Sequence, residues 1–215
     1  MQNYHRHSSY SNIYIADSAV MNEDYAKRAV EVGHKIISSV EHGWQGYYYQ
    51  TFELAKKYNL KFVFGAEAYW VKDRTEKDKT NCHIIILAKN ENGRRAINEV
   101  LSEANETGYY FRPRLDLDLL LSLPPKDVFV TTACIAFWKY DDIEEIVLKL
   151  KEHFQNNLML EIQYHNTPQQ IALNKKIKKI AYNNDIQMIV GLDSHYIYPE
   201  PVSYTHLTLP TSDLV

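Results

Sequence analysis

Short β-branched runs alternate with helical patterns from one end of this chain to the other, and that alternation confines it to repeated βα units around a mostly parallel sheet. An opening strand is expected to end near His5 and His7. Residues 22–33 then read as a helix, with Ala26, Ala29, Val30 and Val32 forming an apolar stripe. Strands are expected at residues 35–40, 61–64, 84–88, 127–132, 158–163 and 187–191, and helices at 45–58, 93–106, 141–154 and 168–183. Thr167 is a fitting N-cap for the last helix, with Pro168 in its first turn. Residues 72–80 form a polar excursion, and GYYFRPRLDLDLLLSLPP, broken by prolines, reads as a long connection carrying a short helix. About seven strands in this order suit a closed or nearly closed barrel, in which chemistry gathers at the carboxyl ends of the strands.

A length of 215 residues with 45% hydrophobic content supports one substantial core. The N-terminus carries no basic segment followed by an apolar stretch, and no run reaches the roughly eighteen apolar residues of a membrane span. A soluble, unexported, cytoplasmic protein without a membrane partner is therefore expected. Cys82 and Cys134 lie far apart and form no C-x-x-C pair, which argues against a disulfide framework or a zinc ribbon. The formal net charge of -3 offers no basic excess for a nucleic-acid backbone. If the chain handles DNA, bound cations or parts of a larger protein must supply the attraction. Its 17 tyrosines are spread along the sequence, as core and rim packing would have them, and not grouped as a stacking platform.

The chemistry-bearing residues fall mostly where a barrel would need them. His5 and His7 are spaced to share one face of an extended strand. Glu41 and His42 end the second strand, Glu67 the third, Cys134 the fifth, and Asp193 with His195 the last; His83 fits less well, since it begins its strand. Any one of these histidines alone reads as a packed or surface residue. Together, imidazole, carboxylate and thiolate converging from several strands point to a multinuclear site for zinc, manganese or iron. His34 and His153 read as structural, Cys82 as a small buried side chain, and the run from Lys72 to Lys79 as solvated. His165, at the end of the sixth strand, and Arg112 and Arg114, flanking a proline, are candidates for contact with a phosphate; a loop or anchoring role is the alternative for each.

The ordered segments HRHSSYS, SVEHG, GAE, HIIILAKN, TAC and DSHY resemble the motifs of the polymerase and histidinol phosphatase (PHP) superfamily. More narrowly, HIIILAKNENGRRAINEVLSEA followed by GYYFRPRLDLDLL is similar to the PHP domain of DNA polymerase III alpha subunits, and the likeness runs over residues 2–200. It implies a distorted (β/α)7 TIM-like barrel, the PHP fold, over residues 1–200. It also implies metal-binding roles for His5, His7, Asp17, His42, Glu67, His83, Cys134, Asp193 and His195, of which His5, His7, His42, Asp193 and His195 would act in catalysis. Two departures stand out: SNIYIAD places Asp17 further from the H-x-H pair than usual, and Glu41 stands where the family has aspartate.

The implied activity is that of a phosphoesterase, a 3'-5' exonuclease using two or three divalent ions to assist attack of water on phosphorus. Its expected partners are a single-stranded DNA 3' end, the remaining polymerase domains and other replisome subunits. The alternatives are a metal-braced scaffold without activity and a free-standing phosphatase of a small phosphate monoester. The last fifteen residues, PVSYTHLTLPTSDLV, show no helical or strand period and resemble translated sequencing-adapter read-through. Residues 201–215, with His206, are accordingly left out of the expected fold, and the polymerase carboxylates are expected to lie beyond this part of the protein.

Overall fold

A computed structural model describes residues 2–14 and 16–198; the expectation for residues 201–215 lies outside the described residues. The chain runs through α1 (Asn22–Glu31), β1 (Ile36–His42), α2 (Tyr48–Lys57), β2 (Lys61–Trp70), β3 (Cys82–Ala88), α3 (Glu91–Thr107), β4 (Tyr109–Tyr110), β5 (Arg112–Leu115), α4 (Leu117–Leu121), β6 (Val128–Thr132), α5 (Ile143–Phe154), β7 (Leu158–Gln163), α6 (Pro168–Asn183) and β8 (Gln187–Gly191). The sheet order is β4-β5-β2-β3-β6-β7-β8, with β1 paired to β2. The result is a mixed α/β fold with a curled sheet, a distorted TIM-like barrel.

Three features depart from a regular βα series. First, β2 extends to Trp70, six residues beyond the expected end, so Glu67 lies inside the strand. Second, β3 runs antiparallel to both β2 and β6, because the excursion at 72–80 returns the chain without a crossover helix. Third, the opening strand is reduced to one parallel bridge, Arg6 with Ser194, fixed by His7 N–H donating to Ser194 O at 2.8 Å and Ser194 N–H donating to His5 O at 3.2 Å.

Strand alternation sorts the side chains into two faces. On β2, Phe64, Ala66, Ala68 and Trp70 enter the main apolar core beneath the helices, which leaves Glu67 and Tyr69 on the barrel interior. β3 repeats the pattern: Ile84 and Ile86 join the main core while Ile85 and Leu87 pack inside with Tyr4, Val40 and Ala133. On β7, Leu158 and Leu160 face the helices, so Glu161 points inward. The interior is thus apolar over part of its depth and turns polar toward the carboxyl ends of the parallel strands.

The polar excursion is tied down by Arg114, which is 2% exposed. Its Nε donates to Gly108 O, Nη1 to the carbonyls of Glu76 and Asp78, and Nη2 to Arg74 O, all at 2.8–2.9 Å. These bonds give Arg114 the anchoring role that stood as the alternative to phosphate contact, with its donors committed to backbone carbonyls. Arg114→Met should therefore destabilise the protein by about 2–4 kcal/mol through buried carbonyls left unpaired. A loss under roughly 1 kcal/mol in urea unfolding would contradict this account.

Candidate metal centre

Five imidazoles and three carboxylates converge at the polar end of the barrel interior. Cross-strand register brings the first pair together: His42 at the end of β1 is the direct neighbour of Glu67 on β2. The antiparallel course of β3 brings the next, since its start lies beside the far end of β2 and His83 is paired with Tyr69. His5 and His7 enter from the N-terminal segment that bridges Ser194, and Asp193 and His195 follow β8 directly.

The Glu67 carboxylate lies within 3.2 Å of His5 Nε2, 3.4 Å of His7 Nε2, 2.5 Å of His42 Nδ1 and 3.1 Å of His83 Nδ1. Asp193 Oδ1 is 3.2 Å from His5 Nε2 and 3.3 Å from His7 Nε2. Asp17, despite its longer spacing from the H-x-H pair, joins the cluster, with Oδ2 at 2.9 Å from His42 Nε2 and 3.5 Å from His195 Nε2.

Surrounding groups decide which ring nitrogens are free. His5 Nδ1 donates to Glu161 at 2.9 Å, which leaves Nε2 turned to Glu67 and Asp193. His7 Nδ1 donates to Ser11 Oγ at 3.0 Å, and the Ser11 hydroxyl in turn donates to Glu41 at 2.5 Å. His195 Nδ1 donates to the Asp193 carbonyl at 2.9 Å, leaving Nε2 toward Asp17. Such bonds to the far nitrogen fix tautomer and ring orientation in imidazoles that bind metal. Glu41, standing where the family has aspartate, does this through Ser11 while also accepting from the Ser8 amide and hydroxyl.

The charge balance follows from burial set against neighbours. Burial lowers His7 to about 4, with His42 and His5 adding to the effect against the pull of Glu67 and Asp193. Burial also opposes the charged form of His42, but Glu67 and Asp17 outweigh it and raise the ring to about 10. His5 is likewise held well above its ordinary value, because Glu161 and Asp193 overcome burial. Glu67, although buried, is held well below the usual carboxylate range by His83, His42 and His7. Asp17 and Asp193 are depressed in the same way by the imidazoles they face, again against burial.

His5 Nε2, His7 Nε2, His42 Nδ1 and Glu67 Oε2 are buried without a hydrogen-bond partner among the described residues, although each stands close to an opposite group. Buried polar atoms crowded together without hydrogen-bond geometry are an arrangement that a divalent cation satisfies, displacing the protons that the raised imidazoles otherwise hold. Three sets have one ligand atom per residue, all within 4.8 Å of one another: His7, His42 and His195; His5, His7 and Asp193; and His42, Glu67 and His83. The nitrogen and oxygen donors suit zinc, manganese or iron.

Some expected residues fall outside these sets. Cys134 accepts a hydrogen bond from the His83 amide at 3.1 Å, and burial raises its thiol. His165 is exposed in the loop after β7, apart from the cluster. His153 donates to Leu123 O at 2.9 Å, a structural role. Glu161 was not anticipated from the sequence, yet its carboxylate also accepts from Tyr4 Oη and from Gln163 at 2.9 Å. Gly191 makes room for it: a Cβ there would meet the Glu161 carboxylate carbon at 2.0 Å. The available signal was a lone acid inside the apolar run LMLEIQ, on the inward alternation of its strand.

The PHP domain family model matches residues 3–165. The chain belongs to the PHP domain family. This PHP domain is 30% identical over 224 residues to the DNA polymerase III subunit alpha of Aquifex aeolicus, an alignment covering 95% of the chain and 19% of the relative. It is 29% identical over 210 residues to that of Borreliella burgdorferi, covering 91% of the chain and 18% of the relative. The chain therefore spans about a fifth of the length of these relatives. In fold it is similar to a protein of Bifidobacterium adolescentis assigned as a metal-dependent phosphoesterase, with a TM-score of 0.60 at 13% identity over 93% of this chain and 89% of that one. No helix among the described residues is long and apolar enough to cross a membrane.

The His42 value implies a pH dependence for the ion-free PHP domain. A ring raised from 6.5 to about 10 adds stability that is complete below pH 6.5 and lost as pH rises toward 10. With a chelator present, the urea midpoint should fall across that window, and His42→Asn should flatten the fall; parallel curves for the two proteins would refute the assignment.

Proposed function

We propose that this PHP domain is a metal-dependent phosphoesterase that acts as a 3'-5' exonuclease on single-stranded DNA ends, within a cytoplasmic replicative polymerase of the DNA polymerase III alpha type. The observation that carries the reading is the set of buried, unpartnered imidazole and carboxylate atoms in a chain homologous to those subunits over 95% of its length. His5, His7, Asp17, His42, Glu67, His83, Asp193 and His195 would hold two or three divalent ions, with Cys134 a further ligand whose buried thiol would give up its proton on binding a cation. Divalent cations held by such donors supply Lewis acidity, lowering the pKa of water and neutralising charge on phosphoryl oxygens.

The protein's part is orientation and access. Glu161 holds His5, and Ser11 with Glu41 holds His7, so that their Nε2 atoms face the same space. The side chains of Asp193 and His195, at 25% and 24% exposure, form the open edge where a phosphodiester can approach. His5, His7, His42, Asp193 and His195 surround the reacting phosphorus in this reading, with Arg112 the candidate for a neighbouring phosphate. His165, exposed in the loop after β7, is the other candidate for contact with a phosphate. The remaining polymerase domains and replisome subunits would deliver the DNA end.

A structural contribution from the same ions is favoured by the burial of His5, His7 and Glu67, since metal held at such a depth contributes folding free energy. The two roles separate on chelation: loss of fold with no DNA cleavage by the loaded protein would leave only the structural one.

Metal analysis of the purified protein should find bound divalent ions. His7→Ala and Asp193→Ala should each lower degradation of single-stranded DNA by at least about a hundredfold. Unchanged rates in both variants would refute the exonuclease reading. Glu161→Gln, which keeps the shape but weakens the hold on His5, should reduce metal affinity by about 10–100-fold in competition with a chelating dye.

A further inference from the structure

The hairpin formed by β4 and β5 presents aromatic rings to solvent beside the centre. Phe111, at its tip, is 60% exposed and Tyr109 57%. Phe111 also adopts φ of 61°, a left-handed conformation that costs a residue with a Cβ about 1–2 kcal/mol. An apolar ring held outward on an unfavourable backbone gains nothing from the core of its own domain.

Cations accompany the rings. The Lys79 ammonium lies 4.3 Å from the Phe111 ring centroid. The Arg112 guanidinium lies 4.9 Å from the centroid of Tyr69, whose ring is 5.2 Å from that of His83 and 6.1 Å from that of His42. Where Arg114 spends its donors on carbonyls, Arg112 makes only one long hydrogen bond among the described residues, Nη1 to Asn81 Oδ1 at 3.5 Å. A tier of cation and ring thus leads from the exposed tip to the imidazoles of the centre.

We propose that this hairpin is a strand-holding platform for single-stranded DNA, with a base stacked on Phe111 and the flanking phosphates paired with Arg112 and Lys79. Exposed rings with adjacent cations match the two needs of a single strand, whose bases have free faces and whose backbone is anionic. An apolar protein partner would have to desolvate Lys79 and Arg112 without compensation. A duplex offers no free base face at its sides. In a chain of net charge -3, this tier supplies local positive charge that the whole composition lacks. The platform rests on the exonuclease reading only for its orientation toward the centre; strand binding itself does not require turnover.

The test uses fluorescence anisotropy of labelled oligothymidylate with the full chain, alongside hydrolysis of bis(p-nitrophenyl) phosphate, which has no strand to hold. Phe111→Asn removes the ring while keeping a residue at ease in the left-handed conformation. It should weaken oligonucleotide binding about 5- to 100-fold, and Phe111→Trp should restore it. Arg112→Ala should weaken binding and flatten its salt dependence. The ratio of oligonucleotide to small-ester hydrolysis should fall in the Phe111→Asn variant. Parent affinity in both Phe111→Asn and Arg112→Ala, or no measurable binding by the parent protein, overturns the platform. Ring-dependent binding by a parent that hydrolyses neither substrate upholds the platform and defeats the exonuclease reading, whereas parent-like DNA degradation and affinity in the variants does the reverse.

Discussion

One carboxylate, Glu67, organises the interior of this domain. It is 1% exposed, and imidazoles from four separate positions, His5, His7, His42 and His83, stand within 3.4 Å of it. A buried anion is tolerable only where opposite charge or a hydrogen bond meets it, so those rings must be delivered from three different parts of the chain. The N-terminal segment, β1 and β3 are held in register around β2 accordingly. A cation shared among the same atoms would relieve the same constraint, so the requirements of folding and of the proposed chemistry coincide here.

The reversed strand β3 is the feature that completes this ring. In a regular βα barrel the start of a strand lies at the end away from the chemistry, and His83 would be lost to the site. Because the chain returns through the excursion at 72–80, the start of β3 meets the end of β2 and His83 comes to rest beside Glu67. Arg114 holds that excursion through three of its four carbonyl contacts, so a buried cation two strands across from His83 secures the connection that permits the reversal.

Around the clustered imidazoles and carboxylates lies a second tier of groups that settle proton positions. Glu161 does so for His5, Ser11 and Glu41 for His7, and the Asp193 carbonyl for His195. The substitution of glutamate for aspartate before His42 is absorbed by this tier, since the Glu41 carboxylate reaches both Ser8 and Ser11. Beyond it, the hairpin at Phe111 and Arg112 lends the acidic chain local positive charge next to exposed rings, so the centre and its approach divide the work between them.

From the sequence alone come the alternation of strands and helices, most of their boundaries, and the candidate metal-competent residues, because strand and helix periods and ordered short motifs are local properties of the chain. Only tertiary structure decided the direction of β3, the length of β2, the reduction of the first strand to a single bridge, and the meeting of Asp17 with His42 and His195. Those depend on which edges pair across long separations, and no local period encodes pairing. Glu161 shows the boundary between the two: its acid was visible in LMLEIQ, but a buried glutamate gains meaning only from the partner it faces, and His5 lies 156 residues away.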